Sequence, residues 1–216
     1  MSPEIIIPLF PLGLVLLPQV LLPLHIFEER YKSMIGECLA EEKEFGIVYF
    51  DAADIQSVGC TSRILKVLER YEDGRLDILT RGQSRFLIKE MFERKAYLEA
   101  RVSFFDDEEQ ADTDTCRNLA ARGIKLLKQL TASQETQAEI GTVEEMDVKS
   151  ISFQIAGCEG FNHEEKQRFL EMTSTRERLE KSVASLEKII ERMRLTAEVQ
   201  KIIGGNGNLK QFPSKG

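Results

Sequence analysis

The chain has 216 residues, 42% of them hydrophobic, long enough to bury about 70% of its unfolded surface as one large domain or two small ones. Its formal charge of −7 sits entirely on residues 1–110, where 13 Lys and Arg face 20 Asp and Glu, while residues 111–216 balance at 16 and 16. Nucleic acid is held by cations that displace condensed counterions, so this distribution argues against nucleic-acid binding.

Residues 5–24 form an almost uncharged run that contains Pro8, Pro11, Pro18 and Pro23. A membrane-spanning helix needs roughly 20 apolar residues, but each proline removes a backbone donor and costs about 3 kcal/mol in a helix interior. A signal peptide needs a basic start, and Met1 to Glu4 carries no Lys or Arg. The run is therefore expected to form a pair of buried strands joined by a turn at Pro18-Gln19, off the membrane, feeding a helix over 27–41. Residues 45–50 read as a short apolar strand. Asp73-Gly74 marks a hairpin turn between 64–69 and 76–80, because Gly adopts the positive φ such turns require. Over 97–105, Leu98, Ala100, Val102 and Phe104 fall on one face and Glu99, Arg101 and Ser103 on the other, the period of a strand with one wet side. Asp106-Asp107-Glu108-Glu109 then reads as a solvated linker, with a docking patch for a basic partner as the sharper alternative.

Beyond the linker, Cys116, Ala120, Ile124, Leu127 and Leu130 recur at helical spacing, and residues 133–141 read as a loop. Thr142-x-x-Glu145, Asn162-x-x-Glu165 and Ser174-x-x-Glu177 each set a capping side chain three residues before an acid, the signature of a helix start. The last helix, 175–203, carries Leu179, Val183, Leu186, Ile190 and Met193 in steps of four and three. Ile189, Leu195, Val199 and Ile202 fall off that seam, which points to a partner or a second copy of the chain as their cover. Residues 204–216 read as a flexible tail. Strands first and helices second is the order of an α+β protein, divided here into 1–110, 111–203 and the tail.

The residue types that carry chemistry are sparse. Cys38, Cys60, Cys116 and Cys158 form no C-x-x-C pair, and reduced thiols in the cytoplasm are the expectation. Cys158 and His163 are separated by four residues, but a zinc site needs a second pair of ligands, so no metal and no cofactor are expected. No G-x-x-x-x-G-K-[ST] or G-x-S-x-G segment occurs, and His25 and His163, the two histidines, have no identifiable nucleophile partner. The chain is expected not to be an enzyme.

The opening block Pro8-Leu9-Phe10-Pro11-Leu12-Gly13, Leu16-Leu17-Pro18 and Leu22-Pro23-Leu24-His25-Ile26-Phe27-Glu28, with Arg30-Tyr31 and Met34-Ile35, resembles the amino-terminal, substrate-binding domain of Lon protease. Phe45-Gly46-Ile47-Val48, Val58-Gly59-Cys60, Asp73-Gly74-Arg75 and Gly82-x-x-Arg85-Phe86 follow in the family's order. Phe153-Gln154-Ile155-Ala156 and Lys166-Gln167-x-x-Leu170-Glu171 resemble its helical second half, so about residues 4–195 are covered. The resemblance implies a PUA-like pseudo-β-barrel followed by a helical subdomain with a long C-terminal helix, used to recognise protein substrates, without the motor or protease parts.

Among the motif residues, Pro11, Gly13 and Pro18 read as structural punctuation, His25 as a packed histidine hydrogen-bonded to backbone, and Arg30 and Tyr31 as pins of the first helix. Phe10, Phe27, Phe45 and Phe86 read as core. Phe104, Phe105 and Phe161 are the expected exposed apolar contacts, together with Leu195, Val199 and Ile202. Two functions fit: a non-enzymatic module that binds protein or unfolded-polypeptide segments, as an adaptor in protein quality control, with self-association through the last helix; or a small-molecule-binding or hydrolytic protein with its site between barrel and helices.

Overall fold

The computed structural model describes residues 4–51, 53–108, 113–131 and 146–205, without the side chains of 131 and 201–205. The strands and helices are β1 (Glu4–Leu12), β2 (Leu21–Ile26), α1 (Glu29–Glu41), β3 (Phe45–Phe50), β4 (Ile55–Arg70), β5 (Leu76–Phe92), β6 (Leu98–Phe105), α2 (Asp114–Thr131), α3 (Val148–Ala156), α4 (His163–Glu171) and α5 (Thr175–Gly205). This is the expected α+β order. The strands form one mixed sheet, β2-β5-β4-β3-β1-β6, curled so that β6 also pairs with β5. Only β1 and β3 run parallel.

The expected pairing of the two opening strands does not occur: β1 lies between β3 and β6, and β2 pairs with β5. Nor is β2 buried, since Pro23 and His25 are exposed. The turn between them decides this. Gln19 takes φ 65°, its N–H donates to the Gly82 carbonyl, and the Gly82 N–H donates to Val20. A Cβ at Gly82 would stand 2.2 Å from the Leu17 carbonyl oxygen. The turn is thus clasped onto β5 and delivers β2 to that strand. The 17 residues of β5 serve two neighbours in succession, β2 over 76–81 and β6 over 85–92.

Phe86 fills the inside of the curled sheet, fully buried with Ile7, Leu9, Val48, Ala100 and Val102. Cβ atoms at Gly46 and Gly59 would lie 2.7 and 2.5 Å from its ring, so three separate motif fragments converge on one aromatic slot. A larger core joins α1 and the helical half. Tyr31 stacks on Phe10 with ring centroids 4.0 Å apart, while Met34, Ile35 and Cys38 continue the buried face of α1. Ile124, Phe153, Leu179 and Leu186 belong to the same cluster.

Helix starts follow their caps. Asn162 and Glu165 form a reciprocal capping box, and Ser174 Oγ accepts from the Glu177 N–H at 3.2 Å. The Thr142 cap and the loop at 133–141 lie outside the described residues, and α3 is capped by Asp147. On α5, Leu179, Val183 and Leu186 are buried as expected. Met193 is exposed, although it continues the seam, because from residue 191 to 200 the helix outruns the described residues packed against it. Gly204 and Gly205 belong to its last turn; residues 206–216 of the expected tail lie outside the described residues.

The acidic run is not a solvated linker. The side chain of Asp107 is only 2% exposed and sits between two buried guanidinium groups, Arg85 Nη2 at 2.5 Å from Oδ1 and Arg178 Nη2 at 2.5 Å from Oδ2. Thr175 also donates to it. Arg85 donates further to the Leu170 and Met172 carbonyls, and Arg178 to Ser152 Oγ and the Met172 carbonyl. Asp106 remains exposed and pairs with Lys149, and the Glu108 N–H donates to Thr173. Glu109 lies outside the described residues. A strand, a connecting segment and the last helix are thereby tied through one carboxylate.

Two outcomes follow from these contacts. Phe86→Ala should lose about 3–5 kcal/mol, and Gly59→Ala should also destabilise because its Cβ meets the Ile47 carbonyl at 2.6 Å; urea unfolding of both variants checks this. Burial alone would raise the Asp107 carboxyl pKa, but bonds and charge from Arg178, with Thr175 and Arg85, outweigh burial and hold it below the usual carboxylate range. Its stabilisation is complete above the unfolded value of 3.8 and fades as pH falls through the lower folded value. Asp107→Asn should cost about 3–5 kcal/mol at neutral pH and flatten the acid limb of stability, measured as melting temperature from pH 7 to pH 2.

Candidate protein-binding surface

Beyond Ser62, β4 has outrun β3, whose ladder with it ends at Phe45 opposite Ser62. From there β4, the first half of β5 and β2 make a three-stranded arm whose two outer edges carry no further strand among the described residues. Unpaired edges offer backbone donors and acceptors to an incoming chain. The β2 edge is blunted by Pro23, opposite Leu79.

The β4 edge is broken by two bulges. Ile64 faces Thr80 and Lys66 faces Leu79, which skips Leu65; Val67 faces Ile78 and Glu69 faces Asp77, which skips Leu68. Each skipped residue is lifted out of the ladder, leaving the leucines 42% and 48% exposed. Ile64 and Val67 keep the inward positions and pack on the main core.

The end of the arm is aromatic. Ile26 and Arg70 both lie opposite Leu76, so the next residues, Phe27 and Tyr71, leave the sheet at the same end. Ile26 points inward, fully buried, and strand alternation turns His25 and Phe27 outward. Phe27 is 59% exposed, a correction to its expected place in the core. His25 is not packed against backbone either: its ring lies 5.9 Å from those of both Phe27 and Tyr71. Its Nδ1 is 2.5 Å from Asp77 Oδ1, and the Tyr71 hydroxyl donates to Asp77 Oδ2 at 2.7 Å.

The other expected site residues are dispersed. Phe161 is 4% exposed, edge-on to Phe169 in the core, because the α4 capping box folds its segment inward. Phe104 packs on the Phe86 cluster and Phe105 lies under the Arg85 guanidinium at 4.5 Å. Leu195 and Val199 are exposed on α5; the Ile202 side chain lies outside the described residues. Tyr31 packs α1 on Phe10, whereas Arg30 is exposed, ion-paired to Glu28. Pro11 sits opposite Val48 in the parallel ladder. Pro18 is buried in the clasped turn. Gly13 is exposed with open space where a Cβ would stand, so packing does not require glycine there.

Two concavities complete the surface. A groove of about 620 Å³ between the start of α4 and α5 is lined by Asn162, Glu165, Ile189, Met193 and Thr196. A polar cavity of about 470 Å³ lies between sheet and helices beside Arg85, Asp106 and Lys149, whose charges are matched by Asp107 and by one another. Burial pushes the Cys38 thiol up to about 11 and raises those of Cys60 and Cys158, which makes them poor nucleophiles. Among the described residues no three His, Cys, Asp or Glu side chains are grouped to hold a metal, and no helix is long and apolar enough to cross a membrane.

The fold and surface can be set beside known proteins. The N-terminal domain of Mycobacterium avium complex Lon protease superposes with a TM-score of 0.67 at 22% identity, covering 84% of this chain and 98% of that one. The Lon N-terminal domain protein from Xanthomonas campestris gives 0.65 at 22% identity, covering 83% and 98%. Lon protease of Anaeromyxobacter dehalogenans (strain 2CP-C) is 25% identical over 215 residues, 93% of this chain and 25% of that protein; the chain spans about a quarter of the length of the curated relatives it matches. The family model of the ATP-dependent protease La (LON) substrate-binding domain matches residues 6–188. With that match over most of its length, and with the fold of the Lon N-terminal domain, the chain belongs to the Lon substrate-binding domain family.

Proposed function

We propose that this chain is a non-enzymatic recognition module that binds exposed, extended apolar segments of other proteins on its three-stranded arm. The observation that carries the reading is the β4 edge, where two bulges present Leu65 and Leu68 beside unpaired backbone, with Phe27 and Tyr71 at the arm's end. An extended segment added along such an edge gains backbone hydrogen bonds, and apolar side chains on the protein surface supply selectivity. Membership of a substrate-binding family supports the same reading. The role is that of an adaptor delivering proteins to proteolysis, and the four free cysteines suit the reducing cytoplasm. The polar cavity does not favour a small-molecule or hydrolytic role, because its charged side chains already pair internally. Self-association belongs to the exposed end of α5, where Met193, Leu195 and Val199 stand clear of the core.

Binding of a permanently unfolded, carboxymethylated polypeptide, followed by fluorescence anisotropy, tests the main reading. The double variant Leu65→Ser, Leu68→Ser should bind at least about tenfold more weakly, with a melting temperature within about 4 °C of the parent; undiminished binding would remove the arm from the site. For α5, Leu195→Glu with Val199→Glu should abolish concentration-dependent sedimentation. Identical monomeric behaviour of parent and variant would rule self-association out.

A further inference from the structure

The outward side chains of the arm fall into three cross-strand rows. Leu21, Arg81 and Arg63 lie opposite one another in the first, Pro23, Leu79 and Lys66 in the second, and His25, Asp77 and Glu69 in the third. Asp77 in the third row is already engaged, bonded to His25 and to the Tyr71 hydroxyl. The first row is less settled. Arg63 and Arg81 are like charges in a directly opposed pair, an arrangement that costs stability. Glu44 relieves one of them, accepting from Arg63 Nε at 3.1 Å and from its Nη2 at 2.8 Å. The other oxygen of Glu44 accepts from the Thr61 hydroxyl at 2.6 Å.

Arg81 has no such relief. It is half-buried, and among the described residues no Asp or Glu pairs with it or with Lys66. Lys66 is its diagonal neighbour, one row along on the adjacent strand, at the roughly 7–8 Å spacing across which long side chains still meet. Both cations stand on the same face, so one carboxylate can serve the two. Apolar surface flanks them, with Leu79 directly opposite Lys66 and Leu65 lifted out by the bulge beside it. Elsewhere in residues 1–110 acids outnumber cations, so a negatively charged segment is repelled by most of this half of the chain and drawn to the arm.

We propose, resting on the arm as the binding surface, that the half of the arm nearer the curled sheet selects a glutamate or aspartate within the bound segment. The carboxylate is seated between Arg81 and Lys66, while neighbouring apolar residues of the segment rest on Leu65 and Leu68. The preferred partner is then an extended apolar stretch interrupted by an acidic residue. A stretch with lysine or arginine at that position brings a further like charge and is rejected. A uniformly apolar stretch gains the leucine contacts but leaves Arg81 unpaired.

Two fluorescein-labelled peptides of one apolar sequence, with glutamate or isosteric glutamine at the centre, are titrated with the full chain by anisotropy. The glutamate peptide should bind about three- to tenfold more tightly, and the difference should shrink as salt is raised from about 0.1 M to about 1 M, over which the screening length falls from roughly 10 Å to roughly 3 Å. Arg81→Gln and Lys66→Gln should each reduce the difference. Arg81→Gln also removes the repulsion with Arg63, so its melting temperature should not fall. Lys89→Gln removes the same charge from an exposed position of β5 outside the arm and should leave the difference intact; an equal loss there overturns the seat by assigning the preference to the long-range field of the chain. Equal affinities of the two peptides for the parent chain overturn the acid preference and leave the arm as the binding surface. A difference that survives undiminished in both Arg81→Gln and Lys66→Gln overturns it too, by placing the carboxylate elsewhere. Absence of binding by either peptide overturns the arm itself and the preference with it.

Discussion

Asp107 holds together parts of the chain that share no hydrogen-bonded ladder. Its two oxygens face Arg85 from β5 and Arg178 from α5, and the Phe153 ring of α3 lies under both guanidinium groups, 5.2 Å from that of Arg85 and 3.7 Å from that of Arg178. Replacing such a buried trio by apolar side chains of equal volume is often neutral for stability. What the trio adds is discrimination. Apolar side chains tolerate small sliding motions, whereas two guanidinium forks that also serve the carbonyls of Leu170 and Met172 fit in one arrangement of sheet and helices.

That rigid junction lets the other end of β5 be used differently. One strand carries the Phe86 slot and the Arg85 anchor in its second half and the core of the arm in its first. The clasp at Gly82 separates the two. An exposed sheet edge is normally a hazard, and the chain guards it with Pro23, with Lys66 and Arg70 on β4, and with bulges that twist the edge. The same bulges push leucines outward. Protection against indiscriminate pairing and display of apolar contacts thus come from one local irregularity.

Local features of the fold were readable from sequence because their causes are local. The strand at 45–50, the Asp73-Gly74 turn with φ 82° at Gly74, and the Asn162 and Ser174 caps each depend on a few adjacent residues. The partner of β2 was not readable, since it is set by the contact of Gly82 with Leu17, 65 positions apart by number. Nor was the fate of the acidic run: four consecutive acids look alike in sequence, and only the arrival of Arg85 and Arg178 buries Asp107. For the surface, the signal lies in the order of residues on β4. Ile64-Leu65-Lys66-Val67-Leu68-Glu69 pairs apolar residues side by side instead of alternating them, which is how a doubly bulged strand reads. Phe27 needed only the alternation of His25-Ile26-Phe27 to be carried one residue further.

The proline-laden opening run has a consequence for how the chain is made. Its antiparallel partner is β6, with Ile5 opposite Val102 and Leu9 opposite Leu98. On a ribosome working at about 5–20 residues per second, an apolar strand that emerges well before its partner waits roughly 5–20 s for it. Throughout this interval Ile5, Ile6 and Ile7 are open to pairing with any neighbouring nascent chain. Pro8 and Pro11 interrupt the donor row just beyond them, and a strand that lacks donors at regular points is a poor template for a stranger. Even in the finished sheet Ile5 and Ile6 remain partly exposed, so the prolines that bar a membrane helix also act as gatekeepers during synthesis.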